Sequence, residues 1–199
     1  RRHEPPGGPD GTLDPDASEE EAASETDNAI PTRGYHEVRV VAFGGSAGSI
    51  PALQQVFHAM PADTGMAFVI VLHLSPEHES ILSEVLQGST TMRVTQARNG
   101  EQVLADHVYV IPPGKHLSLS DGHLRLTELA REPGRRMVVD LFFRSLANNH
   151  CHHAVAVVMS GGDGDGAIAI KRIKERGGLT IAPAPEAAEP RGLPHAAIA

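Results

Sequence analysis

Residues 38–73 read VRVVAFGGSAGSIPALQQVFHAMPADTGMAFVIVLH, and this stretch decides the fold. Residues 38–43 are a short apolar, β-branched run, the pattern of a buried strand. Residues 44–49 form a turn of small side chains. Residues 51–60 carry Leu53, Val56, Phe57 and Met60 on one helical face, and Pro51 suits a first helical turn. Residues 67–72 are a second apolar strand. Strand, helix and strand in succession predict parallel pairing.

Working outward, residues 77–87 form a predicted helix with Ile81, Leu82, Val85 and Leu86 inward, and 92–95 a third strand. The alternation then breaks. Residues 107–111 are apolar and end at Pro112 and Pro113, while 117–120 and 123–127 alternate apolar and polar around Asp121-Gly122. A two-residue Asp-Gly connection predicts a hairpin. Helix 139–149, strand 154–159, loop 160–166, helix 167–176 and strand 179–182 follow, with Gly177-Gly178 as the last helix's stop. The expected fold class is α/β: a doubly wound, mostly parallel, Rossmann-like sheet with an antiparallel hairpin insert.

Residues 1–36 differ in kind. They hold nine acids and three bases, and Pro, Gly, Asp, Glu and Ser dominate. Such a segment buries too little apolar surface to offset its ordering entropy. It is expected to be a disordered acidic tail or linker, removable from a catalytic domain over 37–199. The start at Arg1 and the end at Ala199 suggest a fragment, truncated at the C-terminus. The tail lacks the basic start and apolar stretch of a secretory signal, so a cytoplasmic place is expected.

Composition narrows the function. The net charge of −8 argues against a general nucleic-acid binder, and most of it belongs to the tail. No apolar run reaches the length of a membrane span. A single cysteine, Cys151, excludes an internal disulfide framework and a cysteine-rich zinc site.

Ligands of open parallel sheets gather beyond the carboxyl ends of the strands. Ser46 follows the first strand, His73 the second, and the loop holding Asp163 and Asp165 the strand ending at Met159. A hydroxyl nucleophile, a base and a carboxylate to orient the base thus stand at one topological level. Each alone has a plainer reading: a small-residue turn serves packing or phosphate binding, a lone histidine is commonly structural, and Asp-Gly repeats make turns. Rival motifs fail. Ser49 stands where a dinucleotide loop needs its third glycine, and no Walker-type phosphate loop occurs. The order Ser, His, Asp also differs from that of α/β-hydrolases. His150, His152 and His153 flank Cys151, but neighbours on an extended segment point to opposite faces, against a metal site. Asp163 and Asp165 lack the glutamate and preceding helix of a calcium loop. His58, His78, His107, His116 and His123 are expected at the surface.

Six blocks, in order, carry a resemblance: VVAFGGSAGSIPAL (40–53), FVIVLHLSP (68–76), HVYVIPPGKHLSL (107–119), VVDLFFRSLA (138–147), VVMSGGDGDGAIAIKRIKERGG (157–178) and RGLPHAA (191–197). The chain resembles the catalytic domain of the CheB-type protein-glutamate methylesterases of bacterial chemotaxis. The second and fourth blocks look closest to the branch fused to a methyltransferase domain and sensor modules. The resemblance implies a Ser46–His73–Asp165 triad that hydrolyses glutamate methyl esters on chemoreceptor helices and releases methanol. Backbone N–H groups near Ala47 and Gly162 are candidate oxyanion donors by their position alone. It implies no cofactor, no metal, no nucleic acid and no membrane insertion; the partner is a methylated chemoreceptor. Three positions depart from the family pattern: Ser49 and Asp163 replace glycines, and Leu193 a common methionine. They leave a second expectation open, a catalytically weakened scaffold that binds a receptor or partner signalling domain.

Overall fold

The computed structural model describes residues 38–73, 81–129, 137–159 and 165–182. The expected tail, the start of the second predicted helix and most of loop 160–166, with Gly162 and Asp163, lie outside the described residues, as does Leu193.

Six parallel strands form the main sheet: β1 (Arg39–Ser46), β2 (Met66–His73), β3 (Arg93–Gln96), β5 (His107–Val110), β8 (Ala154–Val158) and β9 (Leu179–Ile181), in the order β3-β5-β2-β1-β8-β9. The chain winds from β1 to one side, then returns and continues on the other, which makes β1 the switch strand of a doubly wound fold. Helices α1 (Ile50–Ala59) and α2 (Leu82–Gln87) pack on one face, α3 (Val138–His150) and α4 (Ala167–Glu175) on the other. A second, antiparallel sheet has the order β4-β7-β6, from β4 (Glu101–Gln102), β6 (Lys115–Ser120) and β7 (His123–Glu128). Asp121 and Gly122 both have positive φ, 52° and 70°, as the tight hairpin connection requires. β4, too short to carry a periodic signal, was not among the expected strands.

Strand alternation sorts the core into two layers. Val41, Phe43, Phe68, Ile70, Leu72, Val108 and Val110 face α1 and α2, where Phe57 meets Phe68 edge to face at 5.6 Å. Val40, Ala42, Ala67, Val69, Val71, Ala154, Ala156 and Val158 face α3 and α4. The second set is smaller, and it needs to be: α3 brings Phe142, Phe143 and Leu146, all fully buried, against it. Ser145 ties α3 to the hairpin, accepting from the Leu119 N–H at 2.9 Å and donating to the Phe142 carbonyl at 2.8 Å.

Two expectations need correction. Ile81 is exposed, because α2 begins only at Leu82, and Leu82 and Leu86 supply its buried face. Gly44 and Gly45 are not turn residues. β1 runs on through both to Ser46, and only a single 3-10 turn, Ala47–Ser49, separates it from α1. The glycine at 44 answers to packing. A Cβ there would lie 2.5 Å from Val139 Cγ1 and 2.7 Å from Phe143 Cζ.

Two measurements follow from this packing. Gly44→Ala should lower unfolding stability by about 1–3 kcal/mol through overpacking, read by denaturant titration. His150, at the end of α3, is buried, and its Nδ1 has no hydrogen-bond partner among the described residues. Burial, then the neighbouring His153, pushes its pKa down to about 4. The unfolded chain binds that proton more readily, so stability is lost as pH falls from about 6.5 towards 4, by at most on the order of 3 kcal/mol. The acid sensitivity of His150→Gln, measured by unfolding at pH 7 and pH 4.5, should be visibly smaller.

Candidate active site

Ser46 and His73 end two adjacent parallel strands and are register partners. Neighbouring strands lie about 4.8 Å apart, and partners point to the same face. Both residues continue the parity of Val40, Ala42 and Gly44 and of Ala67, Val69 and Val71, so both turn toward α3 and α4. Ser46 has an ordinary extended backbone, φ −110° and ψ 170°, unlike the strained nucleophile turn of α/β-hydrolases.

His73 Nε2 contacts Asp165 Oδ2 at 2.6 Å. The imidazole keeps 26% of its surface open, while the Asp165 side chain keeps 2%. The carboxylate is held from its other side by a helix start. Asp165 Oδ2 accepts from the Val139 N–H and Oδ1 from the Asp140 N–H, both at 2.9 Å. These are the second and third N–H groups of α3, which have no partner inside the helix and favour a negative charge. Asp165 thus completes α3 while it addresses His73.

Of the other expected site residues, Ala47 is exposed and opens the 3-10 turn after Ser46; Gly162 lies outside the described residues. Ser49 is buried with a right-handed helical backbone, φ −81° and ψ −8°, which any side chain adopts, so serine in place of glycine adds no backbone strain there. A recess of about 40 Å³ opens beside His73, walled by Leu72, Pro112, Pro113, Leu129 and Val138. A larger groove of about 680 Å³ lies elsewhere, between α1 and the β8–β9 edge. It is lined by apolar residues apart from Arg39 and His152, and it includes none of Ser46, His73 and Asp165.

Reading the sequence missed three contributors. The N–H groups of Val139 and Asp140 carry no sequence signal, since any residue has one. Asp140 and Arg144 form an ion pair on α3 with Asp140 almost fully buried. Their i,i+4 spacing, with an acid on an otherwise apolar face, was a legible clue. His116 was expected at the surface. It is partly buried, its Nδ1 has no hydrogen-bond partner among the described residues, and it lies within electrostatic range of Asp165. Burial lowers its pKa and the Asp165 charge opposes that. His107 and His123 are likewise half-buried, each with Nδ1 bonded to a nearby carbonyl, of Ala105 and Asp121.

Comparisons with known proteins bear on the family and the fold. The CheB methylesterase family model matches residues 41–199. The chain belongs to the CheB methylesterase family. Protein-glutamate methylesterase/protein-glutamine glutaminase 3 of Burkholderia orbicola is 36% identical over 170 residues, covering 85% of this chain and 50% of that protein. The like-named protein 3 of Pseudomonas aeruginosa is 33% identical, covering 85% and 51%. The chain therefore spans about half the length of these curated relatives. The CheB methylesterase catalytic domain of Thermotoga maritima superposes with a TM-score of 0.74 over 82% of this chain and 88% of that one, at 24% identity. That match concerns the fold.

The double duty of Asp165 has a consequence for stability. Asp165→Ala strands two buried N–H donors of α3 and should cost about 1–3 kcal/mol in a denaturant titration, whereas Ser46→Ala should leave stability nearly unchanged.

Proposed function

We propose that this chain is a serine esterase that hydrolyses glutamate methyl esters on chemoreceptor helices. The observation that carries the reading is the His73–Asp165 contact of 2.6 Å, with Ser46 in register with His73 at the carboxyl end of the switch strand, in a chain of this family.

In this reading Ser46 Oγ attacks the ester carbonyl carbon. Asp165 takes up Nε2 of the imidazole, so Nδ1 is the nitrogen that receives the serine proton. With its proton on Nε2 the ring is in the tautomer a general base needs, and the carboxylate steadies the imidazolium that forms. Backbone N–H groups near Ala47 and Gly162 serve the oxyanion. Collapse of the tetrahedral intermediate returns the proton to the methoxy oxygen and releases methanol. Water then attacks the acyl-serine, again through His73, and frees the glutamate.

A recess of about 40 Å³ suits an ester presented on a protein surface better than a small molecule enclosed in a deep pocket. In a chain of this family the proposed partner is a methylated chemoreceptor, met in the cytoplasm, with a fused methyltransferase domain as the neighbour that the second and fourth sequence blocks suggest. The relatives' names also join glutaminase to methylesterase. Amide hydrolysis would pass through the same acyl-serine with ammonia in place of methanol, a harder departure. The close His73–Asp165 contact favours turnover over a drifted scaffold.

Methanol release from a methylated receptor fragment tests this. The 199-residue chain should turn over, Ser46→Ala should not, and Asp165→Asn should be slower by on the order of 10⁴. Full turnover by Ser46→Ala would overturn the reading.

A further inference from the structure

Asp140 is 1% exposed and takes no part in the chemistry above. Its backbone N–H holds Asp165 Oδ1, but its side chain points to a different task. Asp140 Oδ1 accepts from the Ala169 N–H at 3.1 Å, and Oδ2 from Arg144 Nε. Ala169 is the third residue of α4, so the Asp140 carboxylate satisfies one of the N–H groups that a helix start leaves without a partner.

Neither helix is capped by the side chain of the residue directly ahead of it. The residue ahead of α4 is Gly166, at φ +85°, with no side chain to offer. The residue ahead of α3 is Met137, which has no capping oxygen. Each helix instead takes a carboxylate from the other. Asp165, two residues before α4, serves the second and third N–H groups of α3. Asp140, the third residue of α3, serves the third N–H of α4. The two carboxylates cross between the two helix starts, and Asp165 sits at the crossing.

We propose that Asp140 is a positioning residue for the His73–Asp165 couple: by capping α4 from α3 it fixes the start of α4, and with it the Asp165 carboxylate against His73. The inference rests on the triad reading above and deepens it. Asp140 touches neither substrate nor His73. It acts through the place of Asp165, and Arg144, one turn further along α3, orients it. Exchanged caps do this better than a self-cap would. A self-cap fixes a helix end relative to its own chain, whereas an exchanged pair fixes two helix ends relative to each other.

Two double variants of the 199-residue chain isolate the cap. Asp140→Asn with Arg144→Leu keeps an oxygen for the Ala169 N–H, and Asp140→Ala with Arg144→Leu removes it; both remove the two charges of the Asp140–Arg144 pair together. With turnover normalised to the folded fraction from circular dichroism, the alanine form should show kcat roughly 10- to 100-fold below the asparagine form, with KM within about twofold, as expected for a misplaced group. Equal kcat in the two would overturn the proposal, as would a fall in kcat matched by a rise in KM. A second measurement needs no variant. Amide hydrogen exchange in the wild-type chain should protect Ala169 to the level of Val139 and Asp140, and a freely exchanging Ala169 amide would also overturn it. Ser46→Ala is run alongside: if it keeps turnover, the triad reading fails, while the exchange data still decide whether the two helix starts are interlocked.

Discussion

The carboxylate of Asp165 is the point on which this molecule turns. It accepts from two N–H groups at the start of α3 and meets His73 Nε2 at 2.6 Å. A carboxylate buried to this degree is costly unless its lone pairs are engaged. Here the helix start and the imidazole engage them together. The carboxylate that caps the start of α3 is therefore also the one that meets His73, and a change at Asp165 alters both contacts.

Everything around this point serves to bring α3 to the sheet. The face beneath it is built from alanine, valine and Gly44, while the larger side chains of the same strands turn to α1 and α2. Two phenylalanines of α3 fill the room that the small residues leave, and Val139 and Phe143 close over Gly44. Helix α3 is buried on nearly every side, between the sheet, the hairpin and α4. Its start is consequently held in place by packing as well as by hydrogen bonds.

Position in the topology explains why Ser46 and His73 stand where they do. β1 is the strand at which the winding reverses, and the connections on its two sides diverge there, leaving its carboxyl end open. Ser46 ends that strand and His73 ends its neighbour in register. The pair is set by main-chain pairing of two eight-residue strands that are buried at every position but their ends. Asp165, which meets His73, arrives from the far side of the switch, after β8 and just ahead of α4.

The main strands and helices were legible in residues 38–182 because each carries its own period of apolar side chains. Val40 to Phe43, Ala67 to Leu72 and Ala154 to Val158 are continuous apolar runs of strand length, and Asp121-Gly122 is a pair that two-residue hairpin turns favour. Ser46 and His73 were legible as strand-end residues for the same reason, and Asp165 as part of the loop that follows β8. What the sequence could not disclose was every feature made between elements distant in the chain. The role of Gly44 looked like a turn until α3 lay above it. The two-residue β4 exists only because β7 passes beside it. Asp140 and His116 read as an unremarked acid and a surface histidine, since the Ala169 N–H that Asp140 holds and the Asp165 charge that His116 senses lie far along the chain. Local periodicity determined the elements and the order in which they meet; tertiary packing alone decided which N–H groups were left without partners and which carboxylates could reach them, because a helix start becomes a binding site only when another part of the chain is brought to it.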